Sequence, residues 1–354
     1  MVITLKSVGV PVFPIDTGLG DLLAGGSRQP PPPDGAPLVI HANPHRVGTA
    51  LLALPRGAVR GRRIIGYFTW ELPVVPPDWR RHIRLVHEIW VPSRFVADAI
   101  ATVLPTGRDV PIRIVPTALA AAPVPMVQRD RTSFGLPSNT VIVLMSFNFA
   151  SSVARKNPLG ALEAFRRAFG DRRDRLLVFK VVNSDAAPEE RDRLRRAVGD
   201  LPNVVIQDRR LSREDNYAFT AAADIVLSLH RSEGFGLVLA EAMWLGRPAV
   251  ATAWSGNMDF MDEHSAALVP AKLIPPQDTT GEFSLPGALW ADPDLDVAAA
   301  HLRRLADDPA ARTALGLAGQ AMVRRRLTAD SLLHAARDLG LPVVPPTEQF
   351  AGHE

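Results

Sequence analysis

Nine short apolar segments alternate with helical runs along this chain, and that alternation limits its possible folds more than any other feature. The segments are 37–41 "PLVIH", 63–68 "RIIGYF", 88–92 "EIWVP", 111–116 "PIRIVP", 140–147 "TVIVLMSF", 176–182 "LLVFKVV", 203–207 "NVVIQ", 224–230 "DIVLSLH" and 249–253 "AVATA". Most are rich in β-branched residues and apolar on both faces, as parallel strands are when helices cover a sheet from either side. The expected class is therefore α/β. Nine such strands are too many for one small sheet, and 354 residues are too many for one ordinary core, so two doubly wound domains are expected. The stretch 117–139 carries several prolines and little periodicity and reads as the linker between them. The Pro-rich "RQPPPPDG" at 28–35 reads as an exposed loop. No repeat of fixed period is present.

Ligands of open α/β sheets bind beyond the carboxyl ends of the strands, so the informative residues lie where a strand gives way to a helix. Three such places stand out. In "FNFASSVARKNPLGALEAFRRAFG", 147–170, Asn157 suits a helix N-cap, Pro158 the first helical position and Gly170 the residue past the end. Leu159, Leu162, Phe165 and Phe169 form the stripe to be buried. Arg155 and Lys156 directly precede the cap, where the positive end of the helix dipole disfavours each cation by about 0.3–1 kcal/mol. A bound anion reverses that sign; the alternative is two solvated surface cations.

The second place is "LHRSEGFGLVLAEAMWLG", 229–246, with seven residues between Glu233 and Glu241. Glu233 falls in the strand-to-helix loop, where Gly234 and Gly236 let backbone approach a ligand. Glu241 falls in the second helical turn, with Leu237 and Leu245 four residues away on either side. A carboxylate there is costly unless its hydrogen bonds or charge are shared. It is either a core ion pair with an arginine or a ligand group that accepts from hydroxyls. The third place is "AWSGNMDFMDEH", 253–264, where Ser255, Gly256 and Asn257 read as a turn with free N–H groups. Three loops on one sheet edge would suit a ligand carrying phosphates and hydroxyls.

Other chemistries find little support. No Walker A loop occurs, and "GLGDLL" at 18–23 lacks the third glycine of a dinucleotide loop. No HExxH or Cys/His spacing suggests a metal, so no metal site is expected, and with no cysteine there is no thiolate nucleophile. The net charge is only +3, and the arginines are dispersed without interleaved aromatics, so nucleic acid is not an expected partner. Lysine occurs four times, as Lys6, Lys156, Lys180 and Lys272. His41 and His45 share a loop without an evident partner. No apolar run approaches the roughly 18 residues of a membrane span, and no signal peptide is readable, so a cytoplasmic setting is expected.

The motifs "SEGFGLVLAEAM", "RKNP" and "SGNMDFM", in their mutual arrangement, resemble retaining glycosyltransferases of family 4, which have the GT-B fold. The resemblance is closest over 138–330, and "IIGYFTWELPVVPPDW" and "EIWVPSRFVADAI" extend it to a bacterial polysaccharide-type branch. It implies two Rossmann-like domains facing a cleft, with a C-terminal helix crossing back. The expected division is an acceptor-side domain over 1–124, a nucleotide-sugar domain over 125–328, and a final helix and tail over 329–354. Relative to the family, the first strand, loop and helix are missing, since the chain starts at "SVGVPVFPID" near the end of that helix.

By the same resemblance, Glu233 lies near the donor sugar and Glu241 binds ribose hydroxyls. Lys156, with Arg155 beside it, contacts the diphosphate, as do the amides of the Gly234–Phe235–Gly236 loop. Ser255, Gly256 and Asn257 join the donor site. His41, Trp70 and Glu71 are the acceptor-side candidates, with Phe68 to Glu71 standing where the family has a histidine. Ser151 replaces a family arginine five residues before Lys156. The implied reaction is sugar transfer with retained anomeric configuration, without a cofactor or metal. The donor is a nucleotide-diphosphate sugar, GDP-mannose first, and the acceptor a glycan or lipid-linked molecule, with peripheral contact at the inner face of the membrane. The competing reading is a GT-B protein that binds nucleotide-sugar without transfer. A hydrolase ranks lower, because its paired carboxylates face each other across a bond, whereas a loop-then-helix path suits different parts of one ligand.

Overall fold

A computed structural model describes residues 1–7, 10–14, 33–121 and 129–343. The chain divides into two compact units. One comprises Met1–Ala122 together with Thr328–Glu354, the other Pro123–Leu327. The boundary expected at 124/125 lies outside the described residues.

The first unit begins with helix α1 (Val2–Ser7) and contains strands β1 (Leu38–His41), β2 (Ile64–Tyr67), β3 (Glu88–Val91) and β4 (Ile112–Ile114). Helices α2 (Pro44–Leu52) and α3 (Arg56–Val59) connect the first two strands, α4 (Trp79–Ile83) the next two, and α5 (Arg94–Ala101) the last two. The strands pair in parallel in the order β1-β2-β3-β4. Ser93 starts α5 by accepting from the Val96 amide at 3.3 Å, as an N-cap does. Glu88 is a buried carboxylate in β3, tolerated because its charge is shared. The Trp90 indole donates to it at 2.7 Å, Arg63 at 2.7 Å and Arg113 at 3.0 Å. Of the Pro-rich loop, 28–32 lies outside the described residues, and Pro33, Asp34 and Gly35 are exposed.

The second unit holds strands β5 (Val141–Asn148), β6 (Arg175–Val182), β7 (Val204–Asp208), β8 (Ile225–Ser228), β9 (Ala249–Thr252) and β10 (Ala267–Val269). They form one parallel sheet in the order β10-β9-β8-β5-β6-β7. The interleaved helices are α6 (Val153–Lys156), α7 (Pro158–Phe169), α8 (Pro188–Val198), α9 (Arg213–Ala222) and α10 (Leu237–Trp244). Both faces are covered: Leu177, Phe179 and Val181 pack with Leu162 and Phe165 of α7, while Leu176 and Val178 pack with Ala218 and Phe219 of α9. An antiparallel pair, β11 (Ala271–Ile274) with β12 (Trp290–Pro293), stands apart from this sheet. Helices α11 (Leu295–Asp307) and α12 (Pro309–Arg326) follow it. Strands β10 to β12 were not among the nine segments. They are three or four residues long, and Lys272, Asp292 and Pro293 interrupt the apolar pattern.

The chain then returns to the first unit. Helix α13 (Asp330–Asp338) lays Leu332, Leu333 and Ala336 against Ile65, Tyr67 and Trp90. Arg113 in β4 pairs with Asp338 at 2.7 Å.

Candidate functional site

Strand order reverses between β5 and β8: β6 and β7 continue to one side, β9 and β10 to the other. Loops leaving the carboxyl ends of β5 and β8 must diverge there, which opens a crevice. The first sheet has no such reversal among its described strands. The geometry of the second sheet therefore selects the loops after β5, β8 and β9 as the site.

After β5 the chain makes the single turn α6 and then reverses at Asn157, which is left-handed with φ 57°. The Asn157 side chain accepts from the Gly160 amide at 3.2 Å, capping α7, and donates to the Leu229 carbonyl at 2.9 Å. The α7 start was thus readable from sequence, but the left-handed break that turns α6 away from it was not. This turn carries Arg155 and Lys156 to the end of β8. Lys156 forms an ion pair and hydrogen bond with Glu233. Arg155 approaches the other carboxylate oxygen at 3.3 Å and donates to the Ser232 carbonyl and the Ser151 hydroxyl, each at 2.8 Å. Burial pushes the Glu233 pKa upward, but the charges of Lys156 and Arg155 outweigh it and hold the carboxyl at about 2. Among the described residues, two cations thus converge on one carboxylate.

The loop after β9 is built onto Glu233. The Glu233 amide donates to the Ser255 hydroxyl at 2.8 Å, and the Gly256 amide donates to the Glu233 carbonyl at 2.9 Å. Ser255 takes φ 79°, ψ −151°, a region rarely occupied outside glycine and found where surrounding structure enforces it. A Cβ on Gly256 would lie 2.2 Å from the Gly234 carbonyl oxygen, so only glycine fits. Gly236, at φ 91°, opens α10 without a side-chain cap, leaving first-turn amides for a ligand or water.

Some expected donor residues work inside the protein. Phe235 is buried, its ring 5.1 Å from that of Phe260. Asn257 is wholly buried, donating to the Thr252 carbonyl at 3.1 Å and facing His230 Nε2 at 3.1 Å. Both shape the loop from within. Glu241 lies one turn into α10, where the Tyr217 hydroxyl donates to it at 3.2 Å. It makes no ion pair among the described residues. Burial raises its pKa, against the Tyr217 hydrogen bond and the charges of Arg213 and Lys180.

In the first unit, His41 is exposed at the end of β1, its ring 4.6 Å from Tyr67. Trp70 is buried, donating to the Val74 carbonyl at 2.7 Å and packing edge-on against Trp79 at 4.8 Å. Glu71 is half-buried. Among the described residues no three His, Cys, Asp or Glu side chains gather as a metal set would.

Sequence reasoning missed several residues. His230 is fully buried, and its pKa is lowered chiefly by that burial. Its Nδ1 is 3.0 Å from the Ser228 hydroxyl, and its Nε2 reaches the Trp254 carbonyl at 3.2 Å as well as Asn257, so it ties the end of β8 to the loop after β9. Lys180, in β6, is buried on the α9 face near Glu241; its rarity in an apolar strand was the available signal. The segment between β11 and β12 sends Asp278 to accept from the Ser152 hydroxyl at 2.7 Å and sets Phe283 beneath the Arg155 guanidinium, 5.7 Å from ring centre. Nothing local foretells that contact.

Residues 142–284 match the family model described as "Glycosyl transferases group 1". The D-inositol 3-phosphate glycosyltransferase of Kineococcus radiotolerans is 31% identical over 207 residues, 55% of this chain and 43% of that protein. The trehalose synthase of Rubrobacter xylanophilus is 28% identical over 293 residues, 74% of this chain and 64% of that one. The chain thus spans less than two thirds of the length of either curated relative. Among solved structures, Anabaena Alr3699/HepE, in complex with UDP and glucose, superposes with a TM-score of 0.60 at 17% identity, covering 85% of this chain and 77% of its own. The fold shared with such neighbours is GT-B, built from two Rossmann-like domains.

Proposed function

We propose that this chain, a GT-B fold with a group 1 glycosyltransferase segment over 142–284, transfers a sugar from a nucleotide-diphosphate donor to a glycan or lipid-linked acceptor, retaining the anomeric configuration. The observation that carries this reading is the Arg155–Lys156–Glu233 cluster at the strand-order reversal, beside the uncapped start of α10. A diphosphate would bring negative charge to these two cations and accept from amides at the start of α10, which has no side-chain cap. As the sugar–phosphate bond breaks, negative charge grows on the departing diphosphate, and fixed cations and amides stabilise it without reorganising. Glu233, released from Lys156, accepts from hydroxyls of the donor sugar. Glu241, held by Tyr217 rather than by an arginine, accepts from the ribose. The departing phosphate oxygen takes the acceptor proton on the same face, so no side-chain nucleophile is needed. The donor is free substrate; no cofactor or metal enters the scheme.

Calorimetric titration with GDP and UDP tests the donor site, and Lys156→Ala should weaken binding by about 1.5–3 kcal/mol, the range for a lost charge-assisted hydrogen bond. Equal affinity in the variant would remove Lys156 from the site. Donor breakdown measured with GDP-mannose and UDP-glucose, with NMR of the product anomer, tests transfer and retention. Nucleotide binding with no turnover for any donor and acceptor pair would leave the non-catalytic reading.

A further inference from the structure

The antiparallel pair β11–β12 stands apart from the parallel sheet, and residues 275–289 join its strands as an arm. The arm is mostly surface: among its residues only Phe283 and Ala288 are buried. Phe283 meets a charge there. Its ring centre lies 5.7 Å from the Arg155 guanidinium carbon, within the roughly 6 Å over which a ring quadrupole attracts a cation. The Arg155 side chain is 4% exposed, and such desolvation strengthens the attraction.

One carboxylate ties the arm to the same residue. Asp278 Oδ1 accepts from the Ser152 hydroxyl at 2.7 Å, and that hydroxyl caps α6 by accepting from the Arg155 amide at 3.2 Å. Asp278 Oδ2 accepts from the Thr280 hydroxyl and, at 3.4 Å, from the Phe283 amide. Asp278 therefore fixes the arm beside Phe283 and, through Ser152, the backbone of Arg155. Strand β12 adds a second tie. The Ala291 amide donates to the Arg231 carbonyl and the Arg231 amide to the Arg155 carbonyl, each at 2.7 Å, and Arg231 pairs with Asp292 at 2.7 Å. Arg231 lies two residues before Glu233, so the arm is joined to both loops that carry the Arg155–Lys156–Glu233 cluster.

From these contacts we infer that the β11–β12 arm positions the donor cluster, with Phe283 and Asp278 as its positioning residues. They act through Arg155. Together they hold its guanidinium where it approaches the Glu233 carboxylate at 3.3 Å and donates to the Ser232 carbonyl at 2.8 Å. The ligand in this inference rests on the transferase reading above: when the diphosphate draws Lys156 from Glu233, Arg155 remains to fix that carboxylate before the donor sugar. An arginine side chain loses much rotamer freedom when it is fixed. The ring face and the capped turn impose that order before the ligand arrives, which lowers the entropy lost on binding.

The test uses the full chain. Phe283→Leu keeps an apolar side chain and removes the ring face, whereas Phe283→Tyr keeps the face. Calorimetric affinity for GDP or UDP should fall on the order of tenfold in the leucine variant, the scale of a desolvated cation–π contact, and return in the tyrosine variant. Affinity for the corresponding nucleoside, followed by NMR titration, should be unchanged, because it carries no phosphate for the cluster. Asp278→Ala should give a loss of the same kind, and the two losses should combine less than additively because they act on one side chain. Without any ligand, hydrogen exchange at the Arg231 and Gly256 amides, which bond to the carbonyls of Arg155 and Glu233, should accelerate in both variants and stay unchanged in β6. Equal diphosphate affinity in Phe283→Leu and the parent overturns the inference. So does an equal fractional loss for the nucleoside, which marks a general loosening. A parent that binds neither diphosphate refutes the donor reading instead; exchange then decides the positioning, and unchanged rates in both variants overturn it.

Discussion

Glu233 and Glu241 belong to one motif but have opposite electrostatic characters. Glu233 is held by Lys156 and Arg155 at about 2, below its ordinary 4.5. Its ionised form therefore stabilises the fold above about pH 4.5, and that contribution fades as pH falls towards 2. Glu233→Gln removes the carboxylate that Arg155, with 4% of its side chain exposed, approaches at 3.3 Å. A loss of about 3–5 kcal/mol at pH 7 is expected, and a nucleoside diphosphate should restore part of the melting temperature. A variant that melts with the parent would deny the cluster its energetic coupling. Glu241 is shifted the other way, upward, by burial. Its contribution is greatest below the ordinary carboxylate pKa and is lost as pH rises through the raised value. Glu241→Gln should thus melt at the same temperature or higher at pH 7, with the difference shrinking in acid. Its nucleotide affinity should fall, and that loss should vanish for a 2′,3′-dideoxy nucleotide. A large melting loss with unchanged affinity would show that Glu241 is structural.

At the scale of elements, the site is made by loops locked to each other rather than by any one loop. Gly256 presses on the Gly234 carbonyl, and Ser255 holds the Glu233 amide. Gly256→Ala must separate the loops after β8 and β9, because its 2.2 Å clash is with backbone. A stability loss of about 1–3 kcal/mol and weaker nucleoside diphosphate binding are expected together, read by melting and titration of the same variant. Melting loss with unchanged affinity would mean that the glycine serves packing alone. His230, buried and neutral, fastens the end of β8 to the loop after β9 through Ser228, Trp254 and Asn257. With its pKa depressed, the stability it carries is present above its ordinary 6.5 and falls as pH drops through that value.

For the whole molecule, both ends of the chain contribute to the first unit. Helix α13 covers Ile65, Tyr67 and Trp90, and Arg113 ties it down through Asp338. Removing residues after Leu327 should expose this cluster to water. Hydrogen exchange should then accelerate at the β2 and β3 amides and stay unchanged at β5 and β6 in the other unit. Unchanged protection of β2 and β3 would show that α13 contributes little to that core.

By itself the sequence determined all nine anticipated strands, the capped start of α7 at Asn157, and the loop and helix that carry Glu233 and Glu241. These follow from local periodicity and from residue types whose backbone preferences act within a few positions. Strands β11 and β12 escaped because Lys272, Asp292 and Pro293 break their apolar pattern, and β10 is only three residues long at the sheet edge. Only the tertiary structure decided which charge meets which. Lys156 and Glu233 are 77 residues apart, and one sequence suits solvated cations or an anion site equally well until strand order sets α6 beside β8. The same holds for Glu241, whose partner proved to be Tyr217 rather than an arginine, and for Phe283 beneath Arg155. Pairing between distant side chains depends on sheet order and loop direction, which no local preference encodes.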